Sequence, residues 1–361
     1  MSTSPENRDR AFLAWLKDRY PITQFAEWAE HKTVPVGRNA FWYYFGGITL
    51  FLFLIQVGTG IMLMFYYKGS ADTAFESVRF ISAKVPFGWL VRSVHAWSAN
   101  LMILSVFIHM FSVFFMRAYR KPRELTWLSG IVLLALLLGF GFSGYLLPWN
   151  ELAFFATKVG TDIIGVIPVI GEPIMYVLRG GEEVTGSTLP RFFALHVALF
   201  PALLTIFIAA HLFFIQLQGI HEPEVWQEQP EKRKTMPFFP HFFAREMLLW
   251  LITLNILAVL AVFFPAELGV KADPFSPAPA GIKPEWYFLA TFEFLKYMPA
   301  HVGPIEGEQF GLLLISIGFL VWVLVPWIDR GRHPTITKIV MAAGVLILVF
   351  LSIMTYLGWA A

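Results

Sequence analysis

Cysteine is missing from all 361 residues, and charge is scarce, with Asp, Glu, Lys and Arg making up only 14% of the chain. The first absence excludes disulfides, cysteine-held zinc or iron–sulfur centres, thiol nucleophiles and thioether-linked haem in this chain. It does not fix a redox compartment. The second absence is about half the usual share of roughly 25% in soluble globular chains. The net charge of +2 gives no field on the scale of a polyanion, so no nucleic acid is expected among the partners. An ordinary water-soluble enzyme and a disordered chain are excluded too, because 57% of residues are hydrophobic and mean hydropathy is +0.62. A polytopic helical membrane protein is the class that remains.

Seven stretches of about 20 residues or more lack Asp, Glu, Lys and Arg: 41–67, 93–116, 125–150, 192–221, 247–266, 309–328 and 339–361. They cover nearly half the chain. In lipid they must be helices, because every backbone group needs an internal partner. The expected fold is an all-α membrane protein with seven transmembrane helices, an N-terminal four-helix bundle and three C-terminal helices. Residues 1–40 show no signal-peptide pattern. They are polar, carry Trp15 and Trp28, and look like an interfacial lead-in helix.

With the N-terminus inside, inner segments hold 17 Lys/Arg and outer segments 10, an asymmetry that places the N-terminus in the cytoplasm. Two outer connections are long. One holds IIGVIPVIG (163–171) and the other WYFLATF (286–292), both too short to span. Both suit surface-lying or re-entrant pieces that cover something on the outer face. A polar, Pro-rich stretch at 222–240 marks a plausible boundary. The expected organisation is thus 1–40 as a lead-in, 41–222 as a four-helix domain and 223–361 as a three-helix domain.

Four of nine histidines lie inside spans, His95 and His109 on the second and His196 and His211 on the fourth. Ionisable groups inside membrane helices are costly and usually functional. The spacings of 14 and 15 return each pair to one side of its helix, roughly 21–23 Å apart. The second and fourth spans run parallel, so His95 is level with His196 and His109 with His211. This is the geometry for two stacked bis-histidine haems. A lone histidine would more simply be a packing residue; two level pairs are not so easily explained.

Glycines repeat the spacing on the neighbouring helices: Gly46 and Gly60 on the first span, Gly130 and Gly144 on the third, are each 14 apart. A flat macrocycle needs neighbours without side chains at two depths. Any one glycine also fits small-residue helix packing. Arg92 and Arg191 lie just before the outer histidines, where haem propionates need cations and interfacial anchors are also common. Pro201 predicts a kink between the two levels.

Two haems across a membrane make an electron wire, which needs a source and a sink. On the outside, Pro284-Glu285-Trp286-Tyr287 follows a Pro-rich loop. Glu285 beside aromatics suits a proton acceptor, although the pattern also fits an interfacial loop acid. On the inside, Arg245 and Glu246 open the fifth span, and they also fit an ordinary helix start.

These residues resemble cytochrome b of the cytochrome bc and b6f complexes over nearly the whole chain. The stretches FGGITL (45–50), FGWLVRSVHAWSA (87–99), KPRELTW (121–127), GYLLPW (144–149), IPVIG (167–171) and GSTLPRFFALH (186–196) are similar to cytochrome b6. ADPF (272–275) and PEWYF (284–288) resemble subunit IV, so the two are joined here in one chain.

The resemblance implies a quinol:cytochrome c, or plastocyanin-like carrier, oxidoreductase with two haem b. His95 and His196 would hold the outer, low-potential haem, and His109 and His211 the inner one. Pro284, Glu285, Trp286 and Tyr287 would form one wall of the quinol-oxidation site, with Glu285 and Tyr287 catalytic, and region 144–179 the other. One electron would go to a Rieske iron–sulfur protein and on to a c-type cytochrome or similar carrier. The other would cross the membrane to reduce quinone inside, generating a proton gradient. Family likeness also implies a homodimer with partner subunits in the inner, cytoplasmic membrane.

Three departures from cytochrome b6 stand out. Tyr44 replaces the cysteine that tethers an extra haem, so a covalent third haem is not expected. Ser112 and Gln216 stand where arginines follow the inner histidines. PHFFARE (240–246) resembles the bc-type start of the fifth helix, where a Lys-Asp pair serves quinone reduction; Arg245 and Glu246 occupy that pair, with Glu246 as the proton-delivering residue. Two rivals make different predictions. A transporter predicts no chromophore and leaves the matched His and Gly spacings unexplained. A di-haem membrane anchor of a dehydrogenase explains the haems but not the PEWY segment.

Overall fold

A computed structural model describes residues 5–20, 23–24, 27, 31–37 and 40–361. Trp28 lies outside the described residues. Trp15 sits half-exposed on the first helix, α1 (Pro5–Arg19).

The charge-free stretches are helical, as a lipid environment requires. The first is α2 (Tyr44–Met64), entered through a 3-10 turn at Ala40–Tyr43. After α3 (Ala74–Lys84) come α4 (Gly88–Phe115) and α5 (Glu124–Tyr145). The outer connection that follows folds as a helical hairpin, α6 (Glu151–Gly165) and α7 (Gly171–Arg179). Arg179, 2% exposed, pins the two together through Thr161, the Lys158 and Glu182 carbonyls and Asp162 Oδ1 at 2.6 Å. Next are α8 (Thr188–Gln218), α9 (Phe243–Phe263), α10 (Trp286–Lys296), α11 (Gly307–Val323) and α12 (Pro334–Ala360).

Among the described residues, six helices are long and apolar enough to cross a membrane: α2, α4, α5, α8, α9 and α12 with their flanking turns. The seventh expected span, 309–328, is shorter. Helix α11 has 17 residues and ends at Leu324; a separate turn, Val325–Ile328, contains Pro326. Proline has no N–H to continue the ladder. At 1.5 Å per residue α11 is about 25 Å long, the lower limit for a span.

The four N-terminal spans pack pairwise, α2 along α4 and α5 along α8. The core between them is Leu52, Phe53, Met102, Val106, Leu134, Leu137 and Leu204. Helix α4 and helix α8 make little direct contact with each other.

Contacts also cross the expected boundary at 222–240. Strand β1 (Thr33–Pro35) pairs antiparallel with β2 (Thr235–Pro237), putting Val34 opposite Met236. Both side chains are buried with Tyr44 and Phe242. Further out, β3 (His301–Val302) and β4 (Ile305–Glu306) form a small hairpin. On the inner face, the Asp329 carboxylate, 1% exposed, accepts from Tyr119 at 2.5 Å, Arg120 at 2.7 Å and Thr337 at 2.7 Å. This ties the α4–α5 loop to the α11–α12 loop.

Candidate functional site

The four intramembrane histidines form two level pairs. The His95 and His196 rings lie 6.3 Å apart, centre to centre. A metal bonded at about 2 Å to one nitrogen of each ring, with roughly 1 Å more to each ring centre, needs about 6 Å. His109 and His211 are close enough to interact electrostatically. Metal-ligating side chains are not clustered in threes among the described residues.

The one-residue difference in spacing has a structural cause. Helix α4 is α-helical throughout, whereas Leu195–Leu199 in α8 is a π-helical turn containing His196. Pro201 cannot donate to the Val197 carbonyl, and Phe200 N–H reaches back to Leu195 instead. A π turn absorbs an extra residue, so the 15 residues on α8 cover the rotation of 14 on α4.

Each histidine faces one of the four glycines. A Cβ on Gly60 would lie 3.4 Å from His95 Cε1, and one on Gly46 would lie 3.1 Å from His109 Cε1. A Cβ on Gly130 would meet His211 at 3.4 Å, and one on Gly144 would meet His196 at 2.5 Å. Matched glycines and histidines therefore sit at two depths.

Three histidines hydrogen-bond to hydroxyls absent from the sequence-based expectation. His95 Nδ1 is 2.9 Å from Thr59 Oγ1, His211 Nδ1 is 2.8 Å from Ser129 Oγ, and His196 Nδ1 is 3.2 Å from Ser143 Oγ. Each hydroxyl donates its own proton to a carbonyl of its own helix: Ile55, Thr126 and Phe140 respectively. It must therefore accept from Nδ1–H, which leaves Nε2 bare as a metal requires. The available signal was a hydroxyl residue just before three of the four glycines.

The two arginines differ in their contacts. Arg92 donates to Ser82 Oγ at 2.9 Å and to the carbonyls of Ala266 and Glu267, both at 2.6 Å. It fastens the loop after α9 to α4. Arg191 donates to the Ser187 carbonyl and lies against Gly180. Arg92 thus holds a distant loop, which the sequence alone does not reveal, whereas Arg191 bonds within its own turn.

At the inner end, Glu246 is 8% exposed and accepts from Trp250 Nε1 at 3.0 Å. Its carboxylate lies against Gly47, the neighbour of the glycine that faces His109. The Tyr44 ring stacks on Phe242 at 4.6 Å, and its buried hydroxyl lies beside Arg245.

At the outer end, Trp286 Nε1 donates to Asn100 Oδ1 on α4 at 2.7 Å, which anchors the PEWY segment. The Tyr287 hydroxyl lies on Gly141 of α5, where a Cβ would sit 2.6 Å away, one turn from Gly144 and His196. Burial pushes the Glu285 carboxyl above the usual carboxylate range. Burial, with Glu285 and Tyr145 nearby, pushes the Tyr287 hydroxyl up. Phe142 touches Gly160 of α6 and packs edge-on against Phe288 at 6.1 Å, so the 144–179 region does lie beside this segment. A cavity of about 440 Å³ opens between α6 and α10, lined by Val159, Ile163, Phe292 and Leu295.

The family described as cytochrome b/b6/petB matches residues 31–219, and the one described as cytochrome b(C-terminal)/b6/petD matches residues 271–361. The chain is 50% identical to a cytochrome bc complex cytochrome b subunit of Chlorobaculum thiosulfatiphilum, over 98% of this chain and 82% of that one. The chain belongs to the cytochrome b family. It is also 41% identical to cytochrome b6 of Crocosphaera subtropica over 61% of this chain and 99% of that one. A solved structure described as a hyperthermophilic respiratory Complex III matches with a TM-score of 0.81 and 27% identity, over 97% of this chain and all of that one.

This cytochrome b is a multi-pass membrane oxidoreductase subunit, with b6-like and subunit IV-like parts fused in one chain. Haem and iron are implied by the family. The histidine pairs fit such a group on three counts: their spacing, the glycines opposite them and the bare Nε2 that hydroxyls set on three of the four.

Proposed function

We propose that this cytochrome b oxidises quinol at the outer face and reduces quinone at the inner face of the inner membrane, with its N-terminus in the cytoplasm. The observation that carries the reading is the pair of depth-matched His–Gly sets on facing helix pairs. Two b haems, held by His95 with His196 and by His109 with His211, would supply one-electron carriers at two depths. No cysteine is present to tether a third.

At the outer site, Glu285 accepts a proton from quinol. Its half-buried position raises its basicity, in the direction that proton acceptance needs. Tyr287 stays protonated and orients the quinol oxygen through its hydroxyl. Of the two electrons, one leaves to a Rieske protein and on to a c-type cytochrome or similar carrier; the other crosses the membrane. At the inner site, Glu246 delivers a proton to quinone, and Arg245 binds its carbonyl oxygen. Protons are released outside and taken up inside, so turnover builds a gradient. The working unit is a homodimer of the complex.

A redox-titrated visible spectrum of the purified protein, with pyridine haemochrome quantitation, tests this. Two b haems per chain with separate midpoints are expected. A colourless preparation that takes up no haem would overturn the reading.

A further inference from the structure

The hydroxyls that hold three of the histidines are unevenly divided between the two levels. Thr59 precedes Gly60, Ser143 precedes Gly144 and Ser129 precedes Gly130, but Phe45 precedes Gly46. Accordingly, at the outer level both His95 and His196 have an acceptor at Nδ1, and His196 shares its proton with the Phe140 carbonyl at 3.1 Å. At the inner level only His211 has one, with the Thr126 carbonyl also beside it. The His109 Nδ1 is buried and has no hydrogen-bond partner among the described residues.

We propose that Thr59, Ser143 and Ser129 are positioning residues that fix the histidine tautomers and divide donor strength unequally between the two levels, making the outer pair the stronger donor. The inference rests on the two-haem reading above. An acceptor at Nδ1–H pushes electron density toward Nε2 and makes the imidazole a better ligand for the oxidised metal. Ligand hydrogen bonding is one of the means by which a protein sets a haem's potential. With acceptors at Nδ1 of both its histidines, the outer pair would favour the oxidised state of a bound haem more than the inner pair would. The placement also explains why a hydroxyl adjoins each of these three glycines. The glycine makes room for the ring edge, and the residue before it faces the same ring nitrogen.

Four variants test the assignment by redox titration of each haem: Thr59→Val, Ser143→Ala, Ser129→Ala and Phe45→Ser. Thr59→Val and Ser143→Ala should raise the midpoint of the same haem and leave the other unchanged. Ser129→Ala should raise the other haem's midpoint, and Phe45→Ser, by supplying the missing acceptor to His109, should lower it. The expected size for Thr59→Val and Phe45→Ser is about tenfold in the oxidised-to-reduced ratio at fixed potential, about 59 mV for a one-electron couple; it is smaller for Ser143→Ala and Ser129→Ala, whose histidines keep the Phe140 and Thr126 carbonyls as acceptors. Unchanged midpoints in all four, or equal shifts of both haems in each, would overturn the inference. Haem content of the unmodified chain separates this from the parent reading. Two haems with insensitive midpoints overturn only the tuning, whereas no haem overturns both.

Discussion

The carboxylate of Glu246 occupies the place where a side chain on Gly47 would stand. Helix α9 can approach α2 this closely only because position 47 has no Cβ. The contact brings a buried acid to the level of Gly46, where the proposed quinone reduction would need a proton donor. Gly47→Ala should displace Glu246 and slow quinone reduction at the inner site, and Glu246→Gln should slow it by about 10²-fold. The measurement is the rate of inner-haem reoxidation by quinone in membranes. An unchanged rate in Glu246→Gln removes its proton-delivery role.

Gly144 and Gly60 differ in how closely they meet their histidines. A Cβ at 144 would lie 2.5 Å from His196 Cε1, whereas one at 60 would lie 3.4 Å from His95 Cε1. The first separation is a clash and the second an ordinary contact. Gly144→Ala should therefore lose the outer haem, giving one b haem per chain by pyridine haemochrome, while Gly60→Ala should retain two. Equal haem content in the two variants would contradict this difference in clearance.

As the proposed base, Glu285 would give quinol oxidation a pH dependence with a definite sign. Only the carboxylate can accept a proton, and burial raises its pKa. The rate should fall as pH drops, and the fall should begin above the range of an ordinary carboxylate. Glu285→Gln should lower quinol oxidation by about 10²-fold and abolish that acid limb. A variant that keeps both the rate and the limb would exclude Glu285 as the base.

The Asp329 knot should govern stability rather than turnover. Burial raises the Asp329 pKa, but hydrogen bonds from Tyr119, Thr337 and Arg120 outweigh it and hold the carboxyl below its ordinary value. Its contribution is fully present above the unfolded-state pKa and is lost as pH falls through the lower folded value, below about pH 4. Asp329→Asn leaves Arg120 half-paired and should cost about 3 kcal/mol. Thermal melting of the detergent-solubilised chain at neutral pH should show a lower Tm with unchanged haem content.

The sequence by itself determined the membrane class, most of the spans and the level pairing of histidines and glycines. These are properties of composition and helical period, and in lipid the backbone has no alternative to the helix. Even the expected irregularity at Pro201 was legible, since a missing N–H must disturb its own turn. The sequence did not show that the disturbance is a π turn that brings spacings of 15 and 14 into register, nor that α11 stops at Leu324. It placed Arg92 near the outer interface but not on the Ala266 and Glu267 carbonyls, more than 170 residues along the chain. The β1–β2 pairing across the expected boundary and the seat of Glu246 on Gly47 were equally hidden. Each of these depends on which helices touch. Side-chain periodicity fixes the face a residue shares with its own helix, but only tertiary packing decides what stands opposite that face.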